Sequence, residues 1–113
     1  MSLTLAGYNF TDLQSLTDYI PNPELAGLFA MFYLKHPDKK MADYGVLYIA
    51  ETNEIYEDSS FPKGHKKYND WVEKGMGEDN LYIGFCPTPG LVPAKIKLIK
   101  NHLVYKYNPP SNK

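Results

Sequence analysis

The stretch ELAGLFAMFYLKH, residues 24–36, constrains the fold more than any other part of the chain. Its core is almost wholly apolar, so periodicity alone does not assign it, but Phe29, Phe32 and Tyr33 favour a buried strand over a short helix. The polar turn PDKKMAD follows, and then Tyr44 to Ala50, rich in Val, Leu, Ile and Tyr, reads as a second strand. Two such strands across a short polar connection pair most simply as antiparallel neighbours.

Upstream, Thr11 can cap a short helix that places Leu13, Leu16 and Ile20 on one face, with Pro21 and Pro23 ending it. Downstream, SSFPKG reads as a loop and HKKYNDWVEKG as a short helix closed by Gly75, with Tyr68, Trp71 and Val72 as its aromatic face. NLYIGFC is a third strand, bounded by the turn PTPG. The last segment, LVPAKIKLIKNHLVYKYNPPSNK, has two readings. A helix places Ile96, Ile99, Leu103 and Tyr107 on one stripe, whereas a hairpin turning at Lys100 and Asn101 alternates Ile96 and Leu98 with Leu103, Tyr105 and Tyr107. In either case YNPP stops the element.

With 113 residues, 43% hydrophobic and 22% charged, the chain fits one globular domain that needs no metal or disulfide staple. The single cysteine, Cys86, permits no internal disulfide and reads as a buried, inert thiol. No apolar run reaches the length of a signal peptide or a membrane span, so a cytosolic, non-membrane protein is expected. Net charge is −1 but unevenly spread: nine acids face three lysines in residues 1–60, and nine lysines face four acids in residues 61–113. Beyond Asp79 there is no carboxylate, and arginine is absent throughout. Such a half can attract phosphate, although nucleic-acid binders usually carry an overall basic surplus.

AGLFAMFY, LYIAETNEI, HKKYNDW, NLYIGFCPTPG and the terminal LVYKYNPPSN resemble, in that order over residues 25–112, the GIY-YIG nuclease-like superfamily. The resemblance implies a small α+β domain, a three-stranded antiparallel sheet flanked by helices, and favours a helix for the last segment. Residues 1–113 then form one domain, with 1–22 as a helical extension and 25–112 as the core. Family members use a first-strand tyrosine as proton acceptor, an arginine past the second strand as phosphate clamp, and a glutamate on the last helix to hold a divalent cation. Carried onto this chain, the tyrosine position falls on Phe29, the arginine near Asp58 and the glutamate near Lys100, and none of the three keeps the required chemistry.

Tyr48, His65 and Asn112 match supporting positions, and Lys66 and Lys100 can add charge for a phosphate, though lysine offers a point charge where arginine clamps two oxygens. Loss of base, clamp and metal ligand together leaves binding at best, since each such loss costs about a hundred- to a thousandfold in rate. The expectation is a catalytically degenerate domain that binds DNA or RNA through Tyr48, His65, Lys66, Lys100 and Asn112, without a resident cofactor. Two alternatives stand beside it. One is a protein-binding or self-associating domain; the other is a nuclease with a rearranged site, using Mg2+ held by Glu51, Glu54 or Asp58. The histidines, His36, His65 and His102, do not recur at metal-ligand spacing, and Cys86 has no visible orienting partner for nucleophilic chemistry.

Overall fold

The computed structural model describes residues 3–19, 26–35, 43–56 and 61–112, and for Asp12, Glu54 and Tyr56 the backbone alone. The described residues form five strands: β1 (Leu3–Leu5), β2 (Tyr8–Ser15), β3 (Gly27–Leu34), β4 (Tyr44–Glu51) and β5 (Leu81–Pro87). They form one sheet in the order β1-β2-β5-β3-β4, with every neighbouring pair antiparallel. The helices are the single turn α1 (Asn53–Tyr56), α2 (Tyr68–Lys74) and α3 (Pro93–Tyr107). The expected α+β class with an antiparallel sheet is present, but the sheet has five strands and not three.

The two additional strands correct the expected N-terminal helix. Residues 8–15 are β2, and only Leu16–Asp18 form a turn of 3-10 helix. Leu13 and Leu16 do stand three apart, but the first belongs to a strand and the second to the turn that follows it. A two-residue turn, Ala6-Gly7, joins β1 to β2 with φ of 50° and 86°. That geometry suits the right-handed twist of a hairpin, and it is reached here without the usual asparagine. Ile20, Pro21 and Pro23 lie outside the described residues, as do Asp58 and His36.

The strand β3 is the centre of the sheet, paired with β4 on one side and β5 on the other. Both of its faces are buried, which is why its sequence runs apolar without alternation. Phe29 and Met31 face a layer that also holds Tyr48, Phe61, Trp71, Leu81 and Ile83. Leu28, Ala30 and Phe32 face the opposite layer, where α3 lies. Between Met31 and Phe32 the register with β4 shifts, Met31 opposing Tyr48 and Phe32 opposing Val46, so Leu47 is an extra residue. This bulge lets consecutive Leu47 and Tyr48 enter the same layer.

The last segment is a helix. Pro93 stands in its first turn, where a missing N–H costs nothing, and Ile96, Ile99, Leu103 and Tyr107 pack on the sheet as the stripe reading expects. Asn108 ends it in the left-handed conformation, φ 48°, with its N–H donating to the Val104 carbonyl at 2.8 Å. Gly75 closes α2 as expected, with φ −87°, and the positive angles fall on Met76 and Gly77. Gly75 is required instead by close approach, since a Cβ there would meet the Leu81 side chain and come within 2.8 Å of the Trp71 carbonyl oxygen. Asn80 secures this junction, its amide nitrogen donating to the carbonyls of Gly75 at 2.7 Å and Leu34 at 2.8 Å. Among the described residues no helix is long and apolar enough to cross a membrane.

Candidate functional site

Three of the residues singled out from the sequence meet on the α2 side of the sheet. Adjacent strands β3 and β4 bring Phe29 and Tyr48 to a ring separation of 6.1 Å, and Tyr48 stands 5.8 Å from His65. The His65 ring stacks on Trp71 at 4.8 Å and 26°, while Phe61 meets it edge-on at 5.9 Å. Aromatic rings therefore surround His65 on three sides, with Phe29 closing the layer behind Phe61 at 5.9 Å.

The turn that carries His65 is tied at both ends. Its N–H donates to the Pro62 carbonyl and its own carbonyl accepts from Tyr68 N–H, at the start of α2. The Lys67 N–H donates to His65 Nδ1 at 3.0 Å, which puts the proton of a neutral ring on Nε2. His65 is half-buried, Phe29 wholly so, and Tyr48 is 5% exposed. Phe29 is thus a phenyl ring packed among aromatics, with no exchangeable proton and no access to water.

Lys66 is exposed beside His65, in the same turn. Lys100 lies elsewhere: it is carried by α3, which packs on the opposite face of the sheet through Ile96, Ile99 and Leu103. Asn112 sits at the outer edge of β4, the last strand of the sheet. Its Oδ1 accepts from Ile49 N–H and its Nδ2 donates to the Ile49 carbonyl, both at 2.9 Å. The side-chain amide thereby mimics one rung of a strand ladder and satisfies an edge that would otherwise be open to pairing.

Asn112 is committed to structure. Asn112→Ala is expected to lower stability by about 1–2 kcal/mol, the loss of two main-chain hydrogen bonds at a partly buried edge. Asn112→Asp is expected to be at least as harmful, because a carboxylate keeps the acceptor but sets a negative oxygen against the Ile49 carbonyl. Urea denaturation of the three proteins checks this, and an Asp variant as stable as the parent would contradict it.

Sequence reasoning missed Phe61, which comes from a loop and meets the site only through the tertiary fold. It also missed a cleft of about 480 Å3 on the α3 side, lined in part by Leu3 and Leu5 of β1, because β1 itself was not foreseen. Cys86 is buried, and burial pushes its thiol pKa up, as suits an inert core residue. Among the described residues no three His, Cys, Asp or Glu side chains gather as a metal site would require.

The outer face of α3 is of a different character. Lys95, Lys97 and Lys106 are exposed together with Asn101 and His102, and Tyr105 is 88% exposed. His102, Tyr105, Lys106 and Asn108 line a shallow hollow near the end of the helix. The helix has no acidic residue to offset these cations. Comparison of the chain with protein-family models, curated proteins and solved structures gives no match.

Proposed function

We propose that the protein is a non-catalytic nucleic-acid-binding module, a degenerate relative of the GIY-YIG nucleases, and that it engages the phosphate backbone through the outer face of α3. The observation that carries this reading is the set of exposed cations Lys95, Lys97 and Lys106 along a helix without a carboxylate, with Tyr105 exposed next to Lys106. Lysines neutralise phosphates, and an exposed ring on the same helix offers a platform on which a base can stack for about 1–3 kcal/mol. The order β3, β4, α2, β5, α3 agrees with the element order that the resemblance implies, a warrant of analogy only. Phe29 in the aromatic layer supports the non-catalytic part of the reading.

Gel-shift assays with single-stranded, duplex and branched DNA and RNA test it. Binding at about 50 mM salt that weakens strongly by about 200 mM is the expected result, with no cleavage in Mg2+ or Mn2+. Absence of binding to every substrate at low salt would overturn it.

A second reading rests on a separate observation. Leu98, 61% exposed, stands with Ala94, Asn101 and Tyr105 along the outermost ridge of α3, at the 4, 3, 4 spacing of a helix seam. A protein partner with acidic residues around an apolar centre would complement this ridge and its flanking lysines, whereas two copies of α3 face to face would oppose their own lysines. Light scattering at low salt is expected to show a monomer; an α3-mediated dimer, abolished by Leu98→Gln, would favour self-association instead.

A further inference from the structure

The curl of the sheet brings its two outermost strands, β1 and β4, to the same cleft of about 480 Å3, although four neighbour steps separate them in strand order. Such a volume lies within the range of small-molecule sites, about 300–1,000 Å3. About half of its wall is apolar, from Leu3 and Leu5 of β1, Phe32 of β3 and Val46 of β4. Gly45 adds no side chain, and the Tyr33 ring lies over it so closely that a Cβ would collide with the phenol.

The polar side chains of the lining are Lys35, Thr4 and the phenols of Tyr33, Tyr44 and Tyr107. Lys35 is its one charged residue, and the phenols of Tyr44 and Tyr107 are hydrogen-bond donors. The Tyr107 oxygen accepts the Ala6 N–H at 2.7 Å, which ties the β1–β2 turn to the end of α3 and leaves the phenol hydrogen to donate. Burial, with Tyr82 at a ring separation of 5.4 Å, raises the Tyr44 pKa, so this phenol stays protonated at neutral pH. Among the described residues no carboxylate lines the cleft, and Asp43 stands opposite Lys35, whose N–H donates to the Asp43 carbonyl at 2.9 Å.

We propose that this cleft is a binding site for a small amphipathic anion, an apolar body bearing one carboxylate, with Lys35 pairing the carboxylate while Leu3, Leu5, Phe32 and Val46 take the apolar part. Lys35, the cation of the described lining, favours an anion, and the phenols of Tyr44 and Tyr107 can donate to its oxygens. The site shares no residue with the outer face of α3 and does not depend on nucleic-acid binding.

The test is calorimetric titration of the full chain with decanoate, 2-naphthoate and neutral 1-decanol, accompanied by amide chemical-shift mapping. Decanoate and naphthoate distinguish a linear from an aromatic body, and saturable binding of either supports the site. Lys35→Gln, at an exposed position, is expected to weaken the anion about tenfold and to leave decanol unchanged, the usual effect of removing a charged hydrogen-bond partner. Shifts are expected at Leu5 and Val46. Failure of both anions to bind at millimolar concentration, equal affinity for parent and Lys35→Gln, or shifts confined to Leu98 and Tyr105 would each overturn the proposal.

Discussion

Gly27→Ala is expected to lower the stability of this domain by about 3 kcal/mol or more, a large part of the about 5–15 kcal/mol that holds a domain of this size. Gly27 opens β3 with φ at +145°, a backbone conformation costing about 1–3 kcal/mol for a residue with a side chain. Space is lacking as well: a Cβ would run into the Cys86 carbonyl oxygen and lie 3.0 Å from Thr88 N and 3.2 Å from Pro87 Cα. These are backbone atoms, so relief requires β3 and β5 to part.

The neighbourhood cannot yield cheaply. Gly27 N–H donates to the Thr52 hydroxyl at 3.1 Å, and Thr52 N–H returns a bond to the Gly27 carbonyl at 3.0 Å. Ala26 accepts from Thr88 N–H at 3.2 Å on the other side. Gly90→Ala separates the two contributions, because Gly90 also has positive φ but no atom within 4 Å of its Cβ position. Thermal unfolding should show a loss of about 10 °C or more for Gly27→Ala and only a few degrees for Gly90→Ala. Equal losses would mean that close approach contributes nothing.

Trp71→Ala is expected to cost about 3–5 kcal/mol and to dissolve the aromatic site. Trp71 is wholly buried and touches three aromatic groups at once: His65 at 4.8 Å, Tyr48 at 5.3 Å and Phe61 at 6.2 Å. Its removal leaves a cavity beneath His65 that α2, only seven residues long, is too short to close by itself. Trp71→Phe should be far milder. It gives up ring volume, but it also removes an indole N–H that is buried without a hydrogen-bond partner among the described residues, and burying such a donor is itself unfavourable. A Phe variant about 1 kcal/mol below the parent, with the Ala variant several below, is the expected order in chemical denaturation. Equal losses for both would show that the indole makes a bond essential to the fold.

The central strands were legible because burial on both faces leaves a plain trace, the unbroken apolar run of residues 25–34, and because the third strand is bounded by turn residues on both sides. The stripe Ile96, Ile99, Leu103, Tyr107 was legible as one of two patterns, and packing against the sheet selects the helix. The first hairpin was not legible. Its turn, Ala6-Gly7, lacks the common signature, β1 is three residues long, and Leu13 and Leu16 imitate a helical spacing across the end of a strand. The bulge at Leu47 was equally hidden, since a register shift is a property of two strands and not of one.

The candidate site divides along the same line. The nearness of Phe29 and Tyr48 follows from two strands that the sequence marks clearly. The stacking of His65 on Trp71 depends on a loop whose course no local pattern encodes, and so does the approach of Phe61. Asn112 shows how a polar residue near the end of a chain can look like a ligand and serve the scaffold, its amide spent on the main chain of Ile49. Lys100 shows the converse. Its charge was legible, but the layer in which α3 lies separates it from Tyr48.

The central claim, that the outer face of α3 binds a phosphate backbone, is tested most directly by fluorescence anisotropy of a labelled single-stranded oligonucleotide across a salt series. The parent is compared with a variant carrying Lys95→Gln, Lys97→Gln and Lys106→Gln, all at exposed positions. Each lysine that neutralises a phosphate on a single strand contributes about 0.7 to the slope of log K against log salt, so the triple variant should bind more weakly and lose about 2 units of slope. An unchanged affinity with an unchanged slope would contradict the claim.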